Sequence, residues 1–187
     1  MKLGALLYVS DSNKWRNWLE KNHDKKSEIW LIYYKKHTSR ASIPYDDAVC
    51  EALCFGWIDS TVKGIDSEKY AQRFSPRNPK SKWSEPNVQR VKRLIKMDKM
   101  TPAGLAVFKD DSKQDFKIPV DVGKILKSDN LAWKNFQKFP KSYQKIRISW
   151  IDTARKRPKE FKKRLGYFIN LTAKNKKFGI LQNPPSM

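Results

Sequence analysis

The sequence predicts an α+β fold: a small N-terminal domain with a short antiparallel or mixed sheet, followed by a compact all-helical module. Three observations carry this. Apolar runs rich in β-branched and aromatic residues are confined to the first 76 residues. Beyond residue 120 the apolar residues recur only at helical spacing. Between them, residues 109–118 are charged and weakly periodic. The expected organisation is an α+β domain over 1–110, a linker over 111–120, a basic helical module over 121–175 and an extended tail over 176–187.

Met1 to Ser10 reads as the first folded element and not as a signal peptide, because no small-residue cleavage site precedes Asp11. Trp15, Trp18 and Leu19 predict a helix over 12–22, with Ser10, Asp11 or Ser12 as its cap. Ile29 to Tyr34 predicts a central strand, and Lys35 to Arg40 a polar loop. Pro44 suits the first turn of the next helix, with Ser42 as a possible cap; Ala48, Val49, Ala52, Leu53 and Phe55 form its stripe, and Gly56 ends it. Trp57 to Val62 and Tyr70 to Phe74 predict a hairpin-like strand pair around a turn at Lys63 to Asp66.

Ser84 is placed to cap a helix over 85–97, and Thr101-Pro102 opens another. In the module, a short helix is expected over about 121–127. A second carries Leu131, Trp133, Phe136 and Phe139 and stops at Pro140, and a third spans about 142–155. Pro158 starts the last, with Phe161, Leu165, Phe168, Ile169 and Thr172 facing inward.

The chain has 187 residues, with 40 Lys and Arg against 19 Asp and Glu, a formal charge of +21. Residues 1–110 hold 21 basic and 13 acidic residues, and residues 111–187 hold 19 and 6, so the excess is concentrated C-terminally. With 39% hydrophobic residues and seven Trp, this is no disordered polycation. No run approaches the roughly 18 apolar residues of a transmembrane helix. Two cysteines exclude a disulfide framework, and a cytoplasmic location is expected.

Two stretches carry a family pattern. One runs from Glu51-Ala52-Leu53-Cys54-Phe55-Gly56-Trp57-Ile58-Asp59-Ser60 through Arg73-Phe74-Ser75-Pro76-Arg77, Ser81-Lys82-Trp83-Ser84-Glu85-Pro86-Asn87 and Arg90 to Met100-Thr101-Pro102-Ala103-Gly104. The other is Phe139-Pro140-Lys141-Ser142-Tyr143 with Trp150-Ile151-Asp152-Thr153-Ala154-Arg155-Lys156-Arg157-Pro158. Over nearly its whole length the chain resembles the YdeI/OmpD-associated, or bacteriocin-protection, family. The resemblance implies an α+β domain, a helical module and a role in antimicrobial-peptide tolerance or envelope association. Similar modules show Pro-Glu-Thr-Arg where this chain has Pro158-Lys159-Glu160-Phe161, which replaces an expected salt-bridging arginine.

Candidate chemistry is sparse. Cys50 and Cys54 share a helix face and read as buried small hydrophobes. No glycine-rich phosphate loop or G-x-S-x-G is present, and no metal or cofactor is expected. Arg73 and Arg77 flank a strand end, with Lys82, Trp83, Ser84 and Asn87 at the helix start behind them. Together they form a candidate anion-binding site, two guanidinium forks with free N–H groups at the helix start. The alternative is that Trp83 packs inward while the arginines pair with Asp59, Asp66 or Glu68. Asp59 is a possible polar site member, expected to bridge to Arg73 or Arg77. Lys145, Arg147, Arg155, Arg157, Lys162 and Lys163 form an expected basic surface.

The functional expectation is a non-enzymatic stress- or envelope-associated protein acting on an acidic protein or anionic surface. A nucleic-acid-binding protein using the C-terminal helices is the alternative, and a small enzyme centred on Asp59 the third reading. Oligomeric state is not legible in the sequence.

Overall fold

The structure is a computed structural model that describes residues 3–109 and 116–179. The chain divides into two compact units, Met1–Lys82 with Arg90–Lys109 and Trp83–Gln89 with Asp110–Met187. Half of the expected linker over 111–120, residues 111–115, lies outside the described residues, as does most of the expected tail.

The first unit is built on a four-stranded sheet of order β1-β2-β4-β3: β1 (Leu6–Tyr8), β2 (Ile29–Tyr34), β3 (Trp57–Gly64) and β4 (Lys69–Pro76). β1 runs parallel to β2, and the other two pairings are antiparallel, so the sheet is mixed. β2 is interior, as its continuous apolar run requires. The β3–β4 ladder shifts register between Asp59 and Val62, a bulge that re-aims the side chains around it.

α1 (Ser12–Asn22) begins at Asp11, whose side chain accepts the Lys14 N–H. α2 (Tyr45–Cys54) starts one residue later than the proline signal suggested, with Pro44 at the cap position. Ser42 does not cap it; its hydroxyl accepts the backbone N–H of Tyr34 at 3.0 Å. Trp15, Leu19, Leu31, Leu53, Trp57 and Phe74 are fully buried. Trp15 meets Phe74 edge-on at 5.5 Å and stacks on Trp18, and each buried indole finds an acceptor: Trp15 donates to Ala48 O and Trp57 to His23 O. Large aromatics with satisfied N–H groups are where such a core gains most.

α2 ends where Gly56 takes φ +74°, a conformation that disfavours side chains. The chain later returns to this end through Thr101, which caps α4 (Pro102–Val107) by accepting the Gly104 N–H and donates its hydroxyl to Cys54 O at 2.6 Å. Gly104 lies against that same carbonyl, leaving no room for a Cβ. α3 (Glu85–Lys96) precedes it, burying Val88, Val91 and Leu94.

The second unit contains α5 (Val120–Ser128), α6 (Asn130–Lys138), α7 (Lys141–Asp152) and α8 (Pro158–Ala173). Its core joins Val122, Leu126, Phe136, Phe139, Tyr143, Ile148, Ile151, Leu165 and Phe168. On α8, Leu165, Phe168 and Thr172 are buried, and Phe161 and Ile169 half-buried. Two amide side chains satisfy helix ends that would otherwise carry orphan carbonyls. Gln144, 1% exposed, donates to Phe136 O and Phe139 O at the end of α6, and Asn135 donates to Thr172 O and Ala173 O at the end of α8. Of the expected tail, Phe178 packs back on the core, its N–H donating to the Tyr143 hydroxyl. Among the described residues no helix is long and apolar enough to cross a membrane.

Replacing Gly104 by alanine forces a Cβ into the Cys54 carbonyl. We expect a loss of about 1–3 kcal/mol, the usual cost of overpacking, read as a lowered urea midpoint with an unchanged m-value.

Candidate functional site

The two strand-end arginines are both engaged within the first unit. β2–β4 pairing sets Arg73 opposite Trp30. Its Nε donates to Glu28 Oε2 at 2.7 Å and its Nη1 reaches the Ser60 hydroxyl at 3.4 Å. Glu28 also accepts the Trp30 indole N–H, and these two donors, Arg73 foremost, hold its carboxyl below the usual range. Neither Asp59, Asp66 nor Glu68 is the partner of Arg73, because the antiparallel register brings the segment before β2 to it.

Arg77 is 8% exposed and winds the following loop around itself: its Nη2 donates to Lys82 O at 2.6 Å and Ser81 O at 3.4 Å. Burial pulls its pKa down. The Lys82 side chain is exposed. Trp83 and Asn87 are half-buried and Ser84 is exposed, its carbonyl receiving the Val88 N–H at the start of α3. These three residues belong to the second unit.

Asp59 gathers neutral partners in place of arginine. Its Oδ2 accepts the Tyr45 hydroxyl at 2.8 Å and the Gln72 amide at 3.3 Å, tying the first turn of α2 to the bulge in β3. Tyr33, 4% exposed, stacks on Tyr70 at 5.3 Å, and its hydroxyl is buried without a partner. Burial raises the Tyr33 pKa, and Tyr70, Tyr45 and Asp59 add to the rise. Tyr45 is raised by burial and by its bond to Asp59. The sequence offered no sign of Tyr33, Tyr45 or Gln72, since none stands at motif spacing from Asp59.

Cys50 and Cys54 are buried on α2. Burial raises both thiols, Cys54 to about 12, which leaves them protonated and unreactive near neutral pH. Among the described residues no three His, Cys, Asp or Glu side chains could hold a metal ion.

On the helical unit, residues 116–179 contain 18 basic and four acidic residues. All four acids are committed. Asp121 takes a bidentate pair from Arg155 at 2.9 and 3.2 Å, and Asp152 accepts the Nε of the same arginine at 2.7 Å. Glu160 holds Arg164 at 2.8 Å, and Asp129 caps α6. Arg155 and Arg164 thereby keep Asp121 and Glu160 ionised below their usual range.

The expected basic surface is thus thinner in arginine than the sequence suggested. Arg155 serves two carboxylates. Arg147 is not a surface group: it is 8% exposed and lies over the rings of Phe178 and Tyr143, at 4.6 and 5.3 Å. α7 buries residues around much of its circumference, Tyr143, Gln144, Ile146, Arg147, Ile148 and Ile151, so charge was a poor guide to exposure there. Lys145 is half-buried. Arg157, Lys162 and Lys163 are exposed, together with Lys156 and Lys159.

Two expectations follow. Tyr33→Phe removes an unsatisfied buried hydroxyl and should leave stability unchanged or raise it by up to about 1–2 kcal/mol, whereas Tyr45→Phe breaks a bond to a carboxylate and should cost about 1–2 kcal/mol; paired urea melts compare them. Glu28 binds fewer protons folded than unfolded. Its stabilisation is full above the unfolded pKa, near 4.5, and is lost as pH falls through the lower folded value. Glu28→Gln should therefore flatten the acid limb of a stability–pH profile below that point and leave its shape unchanged at neutral pH.

No curated protein and no solved structure matches the chain. Residues 115–175 match the family described as Bacteriocin-protection, YdeI or OmpD-Associated, so the resemblance read over nearly the whole sequence is supported for the helical segment, not for the Glu51–Gly104 stretch. Residues 7–107, the sheet-bearing stretch and more than half of the sequence, match a second family, described as Domain of unknown function (DUF8412). The chain therefore belongs to the DUF8412 family, and its helical segment is similar to the bacteriocin-protection, YdeI or OmpD-associated family.

Proposed function

We propose that this is a non-enzymatic, cytoplasmic binding protein whose helical unit engages a phosphate-bearing anionic surface of the kind that acidic phospholipids present. The observation that carries the reading is the commitment of all four acids of residues 116–179 to internal pairs or a cap. What remains outward is an excess of cations, with Lys156, Arg157, Lys159, Lys162 and Lys163 all exposed. Such groups attract an anionic surface at about 1 kcal/mol each.

The aromatic residues favour a surface over a nucleic acid. Phe136, Phe139 and Tyr143 are buried in the core with Trp133 and Trp150 packed against it, and so are committed to the core, not to stacking on bases. The description of the C-terminal family supports an envelope-linked role in bacteriocin tolerance. Arg73 and Arg77 are left out of the proposal, since internal acceptors already receive both guanidinium groups.

Co-sedimentation with vesicles of phosphatidylglycerol and phosphatidylcholine, from 50 to 500 mM salt, tests the reading. We expect binding to the acidic vesicles alone, persisting near physiological salt. The triple variant Lys159→Gln, Lys162→Gln, Lys163→Gln should weaken it about a hundredfold, from about 1 kcal/mol per lysine. Tighter binding to duplex DNA or structured RNA at equal salt would replace the membrane with a nucleic acid. Loss of all binding above about 150 mM would mark the charge as generic.

A further inference from the structure

Exposed lysines attract an acidic surface, but their pull fades with salt, since the Debye length is only about 8 Å at physiological ionic strength. Binding that persists there needs a second, uncharged contribution. α8 carries a side chain placed to supply it.

Six exposed residues of α8 and its C-terminal cap lie on one stripe. Lys159, Lys163, Gly166, Tyr167, Asn170 and Lys174 follow one another at intervals of four, three, one, three and four, the spacing of a single helix face. Buried Leu165, Phe168 and Thr172 mark the opposite face. The middle of the stripe is uncharged, and lysines stand at both ends. No acid interrupts it: Glu160, the one carboxylate of α8, is half-buried and holds Arg164 at 2.8 Å.

Tyr167 is the large side chain at the centre. It is 52% exposed, whereas the other aromatic residues of α8, Phe161 and Phe168, belong to the core. Its ring meets that of Phe178 edge-on at 4.9 Å, and Phe178 is itself tied down by its N–H bond to the Tyr143 hydroxyl. The ring is therefore supported from one side and open on the other. Beside it, a Cβ placed on Gly166 would meet no atom within 4 Å, so the helix surface next to the ring is clear.

A tyrosine among lysines is the composition of a membrane interface. The phenol sits at headgroup level, and lysine stems lie along the apolar boundary with their ammonium groups toward phosphate. A nucleic acid fits the stripe less well. Stacking platforms set successive rings beneath successive bases, and this face offers one ring, partly covered by Phe178.

We propose that α8 lies along an acidic phospholipid bilayer through this stripe, with Tyr167 at the headgroup level as an uncharged anchor and Lys159, Lys163 and Lys174 against the phosphates around it. The inference rests on the reading of the helical unit as a binder of acidic phospholipid surfaces. It adds the face that docks and a contribution that salt does not screen.

Co-sedimentation of the full chain with phosphatidylglycerol–phosphatidylcholine vesicles, over the same salt range, separates the two contributions. Tyr167→Ala should weaken binding by roughly fivefold to tenfold at every salt concentration, the scale of returning a half-exposed ring to water, and leave the salt slope unchanged. Tyr167→Phe, which keeps the ring, should bind within about twofold of the wild type. The Lys159/Lys162/Lys163 glutamine variant should flatten the salt slope. Leu131→Gln removes a side chain that is 65% exposed on α6, and should change binding by less than about twofold if α8 is the docking face. A nitroxide on Asn170→Cys leaves Tyr167 in place and reports depth directly; on vesicles it should become shielded from a water-soluble nickel chelate. Both native thiols are buried, so the new cysteine takes the label.

Vesicle binding that Tyr167→Ala leaves unchanged, or a bound nitroxide still open to the chelate, would overturn the anchor while the electrostatic reading stands. Weakening by Leu131→Gln in place of Tyr167→Ala would move the docking face to α6 and overturn it as well. A larger loss by Tyr167→Ala on single-stranded DNA than on vesicles would make the ring a base-stacking group, with the same consequence. A wild type that fails to bind vesicles ends both readings.

Discussion

Carboxylate is the scarce resource of this chain: 19 acidic side chains face 40 basic ones. Where each acid is spent decides which cations are held and which remain outward. In the first unit the acids join elements distant in sequence. Glu28 ties the segment before β2 to Arg73 on β4, Glu51 on α2 holds Arg16 on α1 at 2.8 Å, and Asp46 at the start of α2 holds Arg90 at 2.6 Å. In the helical unit Asp121 and Asp152 bind one arginine, Arg155, and so connect α5 to the end of α7. The half-exposed pairs on Arg155 contribute little to stability, about 0–1 kcal/mol each. Their larger effect is on the map of charge, because every acid used inside is one that no longer neutralises a lysine outside.

Stability comes from elsewhere, and here the two units differ in method. The first buries tryptophans whose N–H groups reach carbonyls of other segments, Trp15 to Ala48 and Trp57 to His23. The second relies on packed phenylalanines, Phe136 meeting Phe168 edge-on at 6.0 Å, and on Gln144 and Asn135 closing helix ends. Truncating a buried Phe or Trp typically costs about 3–5 kcal/mol, several times the worth of an exposed ion pair. A surface rich in exposed lysine is therefore compatible with a stable fold.

Most of the architecture was legible because it depends on local rules. A capping threonine before Pro102, a stripe of Leu165, Phe168 and Thr172, and a glycine after α2 each carry their reason within a few residues. β1 was missed as a strand because Leu6-Leu7-Tyr8 has only three residues and is mostly exposed, too short for alternation to register. The sites were less legible for the opposite reason: their partners are remote. Nothing near Asp59 announces Tyr45 or Gln72, and nothing near Arg73 announces Glu28, 45 residues away. Reading Arg147 as surface followed from its charge, and the packing of α7 on several sides overrode that.

The division of labour between arginine and lysine in the helical unit bears on what kind of recognition it can perform. Arg155 and Arg164 are fixed by carboxylates, and Arg147 by rings, while the exposed charged positions on α8 are lysines. Lysine is a strongly hydrated point charge on a flexible stem, whereas the guanidinium is a planar fork with directed donors. A surface made of the former senses charge density and tolerates any arrangement of anions beneath it. Shape selection would need a rigid donor set, and the guanidinium groups of this unit best placed to supply one are committed inside it, Arg155 and Arg164 to carboxylates and Arg147 against the rings of Tyr143 and Phe178.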